Sequence, residues 1–171
     1  MGTHQARGLP RRTPCERVAL MAAHINEIIS RAAGWTQAAP DEKGECHYFL
    51  EGGLDLDIRP LDDRRCVLSA LLEPAPARGE PGAEEHWRRL GLAACAVMNT
   101  QGSILAKDKD GGVVLYRRLD SAELSGEEIV REARDFLNDE AWWRGFLSEG
   151  EAKSPAFSAD FSSWFPPQFS L

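Results

Sequence analysis

Residues 45–72 read ECHYFLEGGLDLDIRPLDDRRCVLSALL, and this stretch decides the fold. Leu54, Leu56 and Ile58 alternate with Asp55, Asp57 and Arg59. A two-residue period is that of a strand burying one face and wetting the other. Before it, residues 45–51 form a first strand, and Gly52-Gly53 supplies the positive φ angles of a tight hairpin. After it, residues 60–63 turn the chain again. Residues 66–72 are apolar except for Ser69, which predicts a strand covered on both faces. The three strands form a meander.

On the N-terminal side, the spacing predicts a helix. Thr13-Pro14 suit a cap and first position, with Glu16 in the first turn. Val18, Met21, Ile25, Ile28 and Ile29 fall on one face, and Gly34 ends the helix. Residues 36–44 are a polar loop. On the C-terminal side, residues 73–82 hold three prolines and two glycines and read as a loop. A second helix is expected over 83–98, with Trp87, Leu90, Ala94 and Val97 as apolar positions. Its small residues Gly91, Ala93, Ala94 and Ala96 permit close approach of another backbone. Gly91 costs this helix about 1 kcal/mol relative to Ala, so external packing is expected.

Residues 103–107 and 113–119 predict a second hairpin around Asp110-Gly111-Gly112. Ser125 followed by Glu128 is a capping box that opens the last helix. Ile129, Ala133, Phe136, Trp143 and Leu147 mark its apolar face. Residues 123–140 hold seven acids and two arginines, which places much of the negative charge on the outer face. The order is therefore α-β-β-β-α-β-β-α. Hairpin connections make the sheet mainly antiparallel and twisted, in an α+β domain.

That domain is expected over 15–148, after a flexible polar leader at 1–14. The segment 149–171 carries five serines and three prolines together with Phe157, Phe161, Trp164, Phe165 and Phe169. It reads either as a disordered tail or as a docking segment. In the second case Ser154-Pro155 starts a short helix with Phe157, Phe161, Trp164 and Phe165 on one side, and Pro166-Pro167 ends it.

The whole chain has 171 residues, with 43% hydrophobic and 27% charged, as in soluble globular proteins. A net charge of −7 argues against binding nucleic acid or an anionic membrane surface. No run approaches the roughly 18 apolar residues of a membrane span. Cys15, Cys46, Cys66 and Cys95 form no CxxC pair, and no apolar signal segment precedes them, so free thiols in a reducing cytoplasm are expected.

Few residues ask for chemistry. His24 and Glu27 share a helix face without further ligands, so no metal site is expected. Cys46 and His47 are neighbours on a strand and point to opposite faces. Asp55 and Asp57 share one face, and on a wetted strand face neither is desolvated as acid–base work requires. Asp108-Lys109-Asp110-Gly111 begins like a calcium loop but lacks the closing Glu. No phosphate-binding glycine loop, dinucleotide fingerprint or nucleophile elbow is present. The expectation is a binding protein with no catalytic residues and no cofactor.

The element order now meets particular residues. LGLAACAVMN at 90–99, GSILAKDKDGGVVL at 102–115 and the helix ending FLNDEAWW at 136–143 resemble the class I type III secretion chaperones. These are small acidic dimers that hold effector proteins before export. The strands at 54–58 and 66–72 are similar to that family's middle strands, and the resemblance covers about residues 15–148. It implies a homodimer in the bacterial cytoplasm, built across the second helix, with Trp87, Leu90, Gly91, Ala94, Val97 and Met98 at or near the contact. It also implies that the N-terminal segment of an effector is held on apolar patches. By position those patches would draw on Val18, Leu20, Met21, Ile25, Ile28, Tyr48, Leu50 and Leu54. The implied function is to keep the effector soluble and partly unfolded and to assist its delivery to the secretion apparatus. Two alternatives stay open. One is a chaperone-like regulator that sequesters a control protein. The other is a small enzyme with a site assembled from His24, Cys46, His47 or Asp57.

Overall fold

The structure is a computed structural model that describes residues 14–75 and 82–148, with side chains from Val18 onward. The expected leader and aromatic tail lie outside the described residues.

Helix α1 (Pro14–Ala33) is followed by the meander β1 (Cys46–Leu50), β2 (Leu54–Pro60) and β3 (Arg65–Glu73). Then come α2 (Ala83–Val97), the hairpin β4 (Ile104–Lys107) and β5 (Val113–Asp120), and α3 (Gly126–Ser148). The five strands form one sheet in the order β1-β2-β3-β5-β4, and every neighbouring pair is antiparallel. The α+β architecture and element order are those expected from the sequence.

Local chemistry explains the boundaries. Gly34, at φ 70°, closes α1 in the left-handed region. In the β4–β5 turn, Oδ1 of Asp108 accepts the N–H groups of Asp110 and Gly112 at 2.9 and 2.7 Å. The capping box forms as expected: Ser125 N–H donates to Glu128 at 2.8 Å, and Glu128 N–H donates back to Ser125 Oγ at 3.3 Å.

All three helices contribute to one core on the same face of the sheet. Ile25 and Ile29 of α1, Leu90 of α2, and Phe136 and Trp143 of α3 meet the inward residues Leu56, Ile58, Leu68, Ala70 and Leu115. No described element covers the other face. Among the described residues Leu71 of β3 is exposed there, so the expected two-sided cover of β3 is not supplied by them.

A second expectation is corrected on α3. Asp139 and Glu140 do not lie on its outer face but are buried. Each is retained because it satisfies backbone that the sheet leaves unpaired. The β2–β3 ladder runs only from Asp57–Pro60 to Cys66–Ser69, so the strands part towards Asp55 and Leu71. Into that gap Glu140 Oε1 accepts the N–H of Asp55 at 2.9 Å, and Arg144 donates to the carbonyl of Leu71 at 3.2 Å. Arg144 also pairs with Glu140 at 2.8 Å and with Asp55 at 3.0 Å.

Candidate functional site

Helix α2 is attached lightly. Leu90 is its one buried side chain among the described residues. Its remaining anchors are peripheral. His86 Nε2 lies 2.9 Å from Glu73 Oε2, Lys107 Nζ stands 5.2 Å from the Trp87 ring centre, and the Arg89 guanidinium sits 5.5 Å over Phe146. Of the residues expected at a dimer contact, Leu90 is spent in the protomer's own core, and Trp87, Ala94 and Val97 are half-buried against it. Gly91 and Met98 are exposed, Met98 at 68%. Leu92, which the sequence reading passed over, is 60% exposed beside them. A 15-residue helix with this outer face has apolar surface that the other described residues do not cover.

The chain after α2 is clasped to α3. Trp143 Nε1 donates to Gln101 at 2.9 Å, and Asp139 accepts the Ser103 N–H at 3.2 Å. Asp139 also meets the buried Arg117 at 3.5 Å, and Arg117 donates to the carbonyl of Glu132 at 3.0 Å. Burial nevertheless pushes the Asp139 carboxyl above its ordinary value. The clasp fixes where α2 ends and where the edge strand β4 begins.

On the opposite side, β1 is the other edge of the sheet. Of the residues implied for effector binding, Met21, Ile25, Tyr48 and Leu54 are buried in the core and offer no side-chain surface to a partner. Tyr48 donates to Asn26 and accepts the Ala38 N–H at 3.1 Å, which ties β1 to α1 and its following loop. Val18, Ile28 and Leu50 are half-buried, and Leu20 is exposed. The most open apolar side chain is one the sequence reading missed: Phe49, 87% exposed on β1. It pairs in register with Asp55, so the alternation that buries Tyr48 had already assigned Phe49 to the solvent face.

The chemical candidates scatter. His24 is exposed on α1, while Cys46 faces the core. His47 and Asp57 do meet on the outer face, Nδ1 to Oδ1 at 2.7 Å. That bond to Asp57 holds the imidazole above its ordinary pKa. No thiol among the described residues joins this pair, since Cys46 points into the core. Asp55 and Asp57 are half-buried and ion-paired, not freely solvated as expected. The fold also brings Asp41 and Glu45 to His47, with candidate ligand atoms all within 4.8 Å. Those groups already have partners. Asp41 Oδ1 accepts the N–H groups of Lys43 and Glu45, each at 2.8 Å, and Glu45 faces Arg59 at 3.4 Å.

No protein-family model matches the sequence, and no curated protein matches it. Solved structures do. The fold is that of the type III secretion chaperones, as the sequence resemblance implied. A chain of the HopA1–SchA chaperone–effector complex matches with a TM-score of 0.57 and 21% identity, over 78% of this chain and 99% of that one. A chain of the ExsC–ExsE complex matches with a TM-score of 0.54 and 19% identity, over 74% and 96%. A chain of the heterodimeric ExoU–SpcU complex from the type III secretion system of Pseudomonas aeruginosa matches at 0.50 and 14%, over 71% and 95%. No helix among the described residues is long and apolar enough to cross a membrane.

Proposed function

We propose that this chain is a type III secretion chaperone that binds the N-terminal segment of an effector and keeps it soluble and partly unfolded for delivery. The observation that carries the proposal is that large apolar side chains remain exposed among the described residues, including Leu20 and Phe49 on α1 and β1, and Leu92 and Met98 on α2. Apolar groups on separate elements suit more than one contact. The surface on α2 joins two protomers into a homodimer, through Gly91, Leu92 and Met98. The surface around Leu20, Phe49 and Leu50 receives the client. There an extended segment adds to the free edge of β1 by main-chain hydrogen bonds and seats apolar side chains against Phe49. Such binding needs no nucleotide and no turnover, because burial of the client's apolar area drives it.

The test uses the full chain co-expressed with a candidate effector, a large secreted protein sought in a neighbouring reading frame. Light scattering after gel filtration should give twice 18.9 kDa for the free protein. Leu92→Asp should shift it towards the monomer, and Phe49→Asp should leave the dimer intact while weakening the effector complex by about tenfold or more. A monomer at micromolar concentration, or a complex indifferent to Phe49→Asp, overturns the reading.

A further inference from the structure

The outer face of the sheet is divided. Register places Ser69 beside Tyr116 and Tyr116 beside Ile104, and in the next row Leu71 beside Val114 and Val114 beside Ala106. These six side chains on β3, β5 and β4 carry no charge. The β1–β2 half of the same face carries His47, Asp55, Asp57 and Arg59. A wetted sheet face is ordinarily polar throughout. Here two rows across β3, β5 and β4 are uncharged, bordered by the Val67–Arg118 pair, with Leu71 46% and Ile104 55% exposed. None of the six belongs to the apolar core or packs against it. At the border of the patch, beside Asp57 of β2, the Ser69 hydroxyl is buried without a hydrogen-bond partner among the described residues.

The sequence carries a segment of matching chemistry. Residues 149–171 follow α3, and from Ser154 to Leu171 the single charged side chain is Asp160. Phe157, Phe161, Trp164 and Phe165 recur at i, i+4, i+7 and i+8, and Phe169 follows. The segment also starts near this face. Arg144, in the last turns of α3 on the core face, reaches the carbonyl of Leu71 and the side chain of Asp55, so these turns lie beside the gap between β2 and β3 that borders the patch. Phe157 lies nine positions beyond Ser148, an extended reach of about 30 Å. Crossing from β3 to β4 takes two strand spacings, about 10 Å.

We propose that the aromatic segment 154–171 docks intramolecularly on the two uncharged rows of its own sheet, against Leu71, Val114, Tyr116 and Ile104. A segment with five aromatics and one charged side chain, and two uncharged rows of an open sheet face, each gain by leaving water, and the short connection makes the meeting intramolecular. Any partner needing that face must first displace the segment. The proposal rests on the face and on the chain that leaves α3, not on the chaperone reading, so no client enters its test.

The experiment observes the Ile104 and Leu71 methyl groups of the full chain by NMR. The wild type is compared with the full chain carrying Phe161→Ser, Trp164→Ser and Phe165→Ser together. Docking predicts ring-current-shifted methyl signals in the wild type, with contacts to aromatic protons, and loss of both in the triple variant. Ile104→Asp, at an exposed position, should speed proteolytic cleavage within 154–171 by about tenfold while the thermal transition stays in place. Methyl signals identical in the two proteins overturn the proposal. So do signals that move with protein concentration instead of with the triple substitution, which would place a second copy on the face. Contacts seen only between differently labelled chains also overturn it.

Discussion

Glu140 offers the sharpest test of how the parted strands are held. Its side chain is 0% exposed, one carboxylate oxygen accepts Asp55 N–H and pairs with Arg144, and the other has no partner among the described residues. Burial outweighs these bonds and pushes the carboxyl from 4.5 up to about 7. A folded-state value above the unfolded one means that the folded state holds the proton more tightly. The resulting stability is complete below pH 4.5 and is lost as pH rises through 7. The gap is worth about 3 kcal/mol at the alkaline end. Glu140→Gln retains an acceptor for Asp55 N–H and removes the titration. Denaturant unfolding of both proteins, at one protomer concentration from pH 5 to 8.5, should show the wild type losing stability relative to the variant by a few kcal/mol. The neighbouring Asp139 is shifted in the same direction, but it is common to both proteins and largely cancels in the difference. A difference that is flat across this range, or a wild type that gains on the variant as pH rises, refutes the reasoning.

Two further outcomes follow from the same geometry. A Cβ on Gly102 would overlap the guanidinium of Arg117, which Asp139 and the Glu132 carbonyl hold in place, so Gly102→Ala should cost about 1–3 kcal/mol in denaturant unfolding. Cys66 is fully buried and burial pushes its thiol up to about 12, whereas Cys95 is exposed on α2. Peptide-resolved alkylation of the native protein at pH 8 should therefore leave Cys66 unmodified until the chain is unfolded, and prompt labelling of Cys66 would contradict the fold.

The architecture was legible because its signals are local. Alternation in LDLDI, the glycines at 52–53 and the Ser125–Glu128 box each act within a few residues, and each is realised in the structure. The buried acids were not legible. Asp139 and Glu140 look like members of an acidic outer face, since a carboxylate on a helix is ordinarily solvated. Their burial depends on backbone 36 and 85 residues away in sequence: the N–H of Ser103 for one, and that of Asp55 for the other. Only the tertiary arrangement discloses that need.

The exposed apolar side chains occupy a middle position, because their signal was present but is the inverse of the one used to find a core. Leu90 and Leu92 are the same residue two positions apart. Leu90 keeps helical phase with Trp87, Ala94 and Val97 and is buried, whereas Leu92 breaks that phase and is exposed. Phe49 stands in the same relation to Tyr48, Leu71 to Leu72 and Ile104 to Leu105: in each pair the strand parity that sends the second residue inwards sends the first outwards. Choosing candidate contacts from the in-phase apolar residues therefore selected mostly core, as Met21, Ile25, Tyr48 and Leu54 show. A large apolar residue out of phase gains nothing from its own fold and leaves hydrophobic area in water. Leu92, Phe49, Leu71 and Ile104 are such residues, and they fall where the fold leaves a helix face, a strand edge and a sheet face open. On the proposed function, these departures from periodicity are where the sequence marks its contacts.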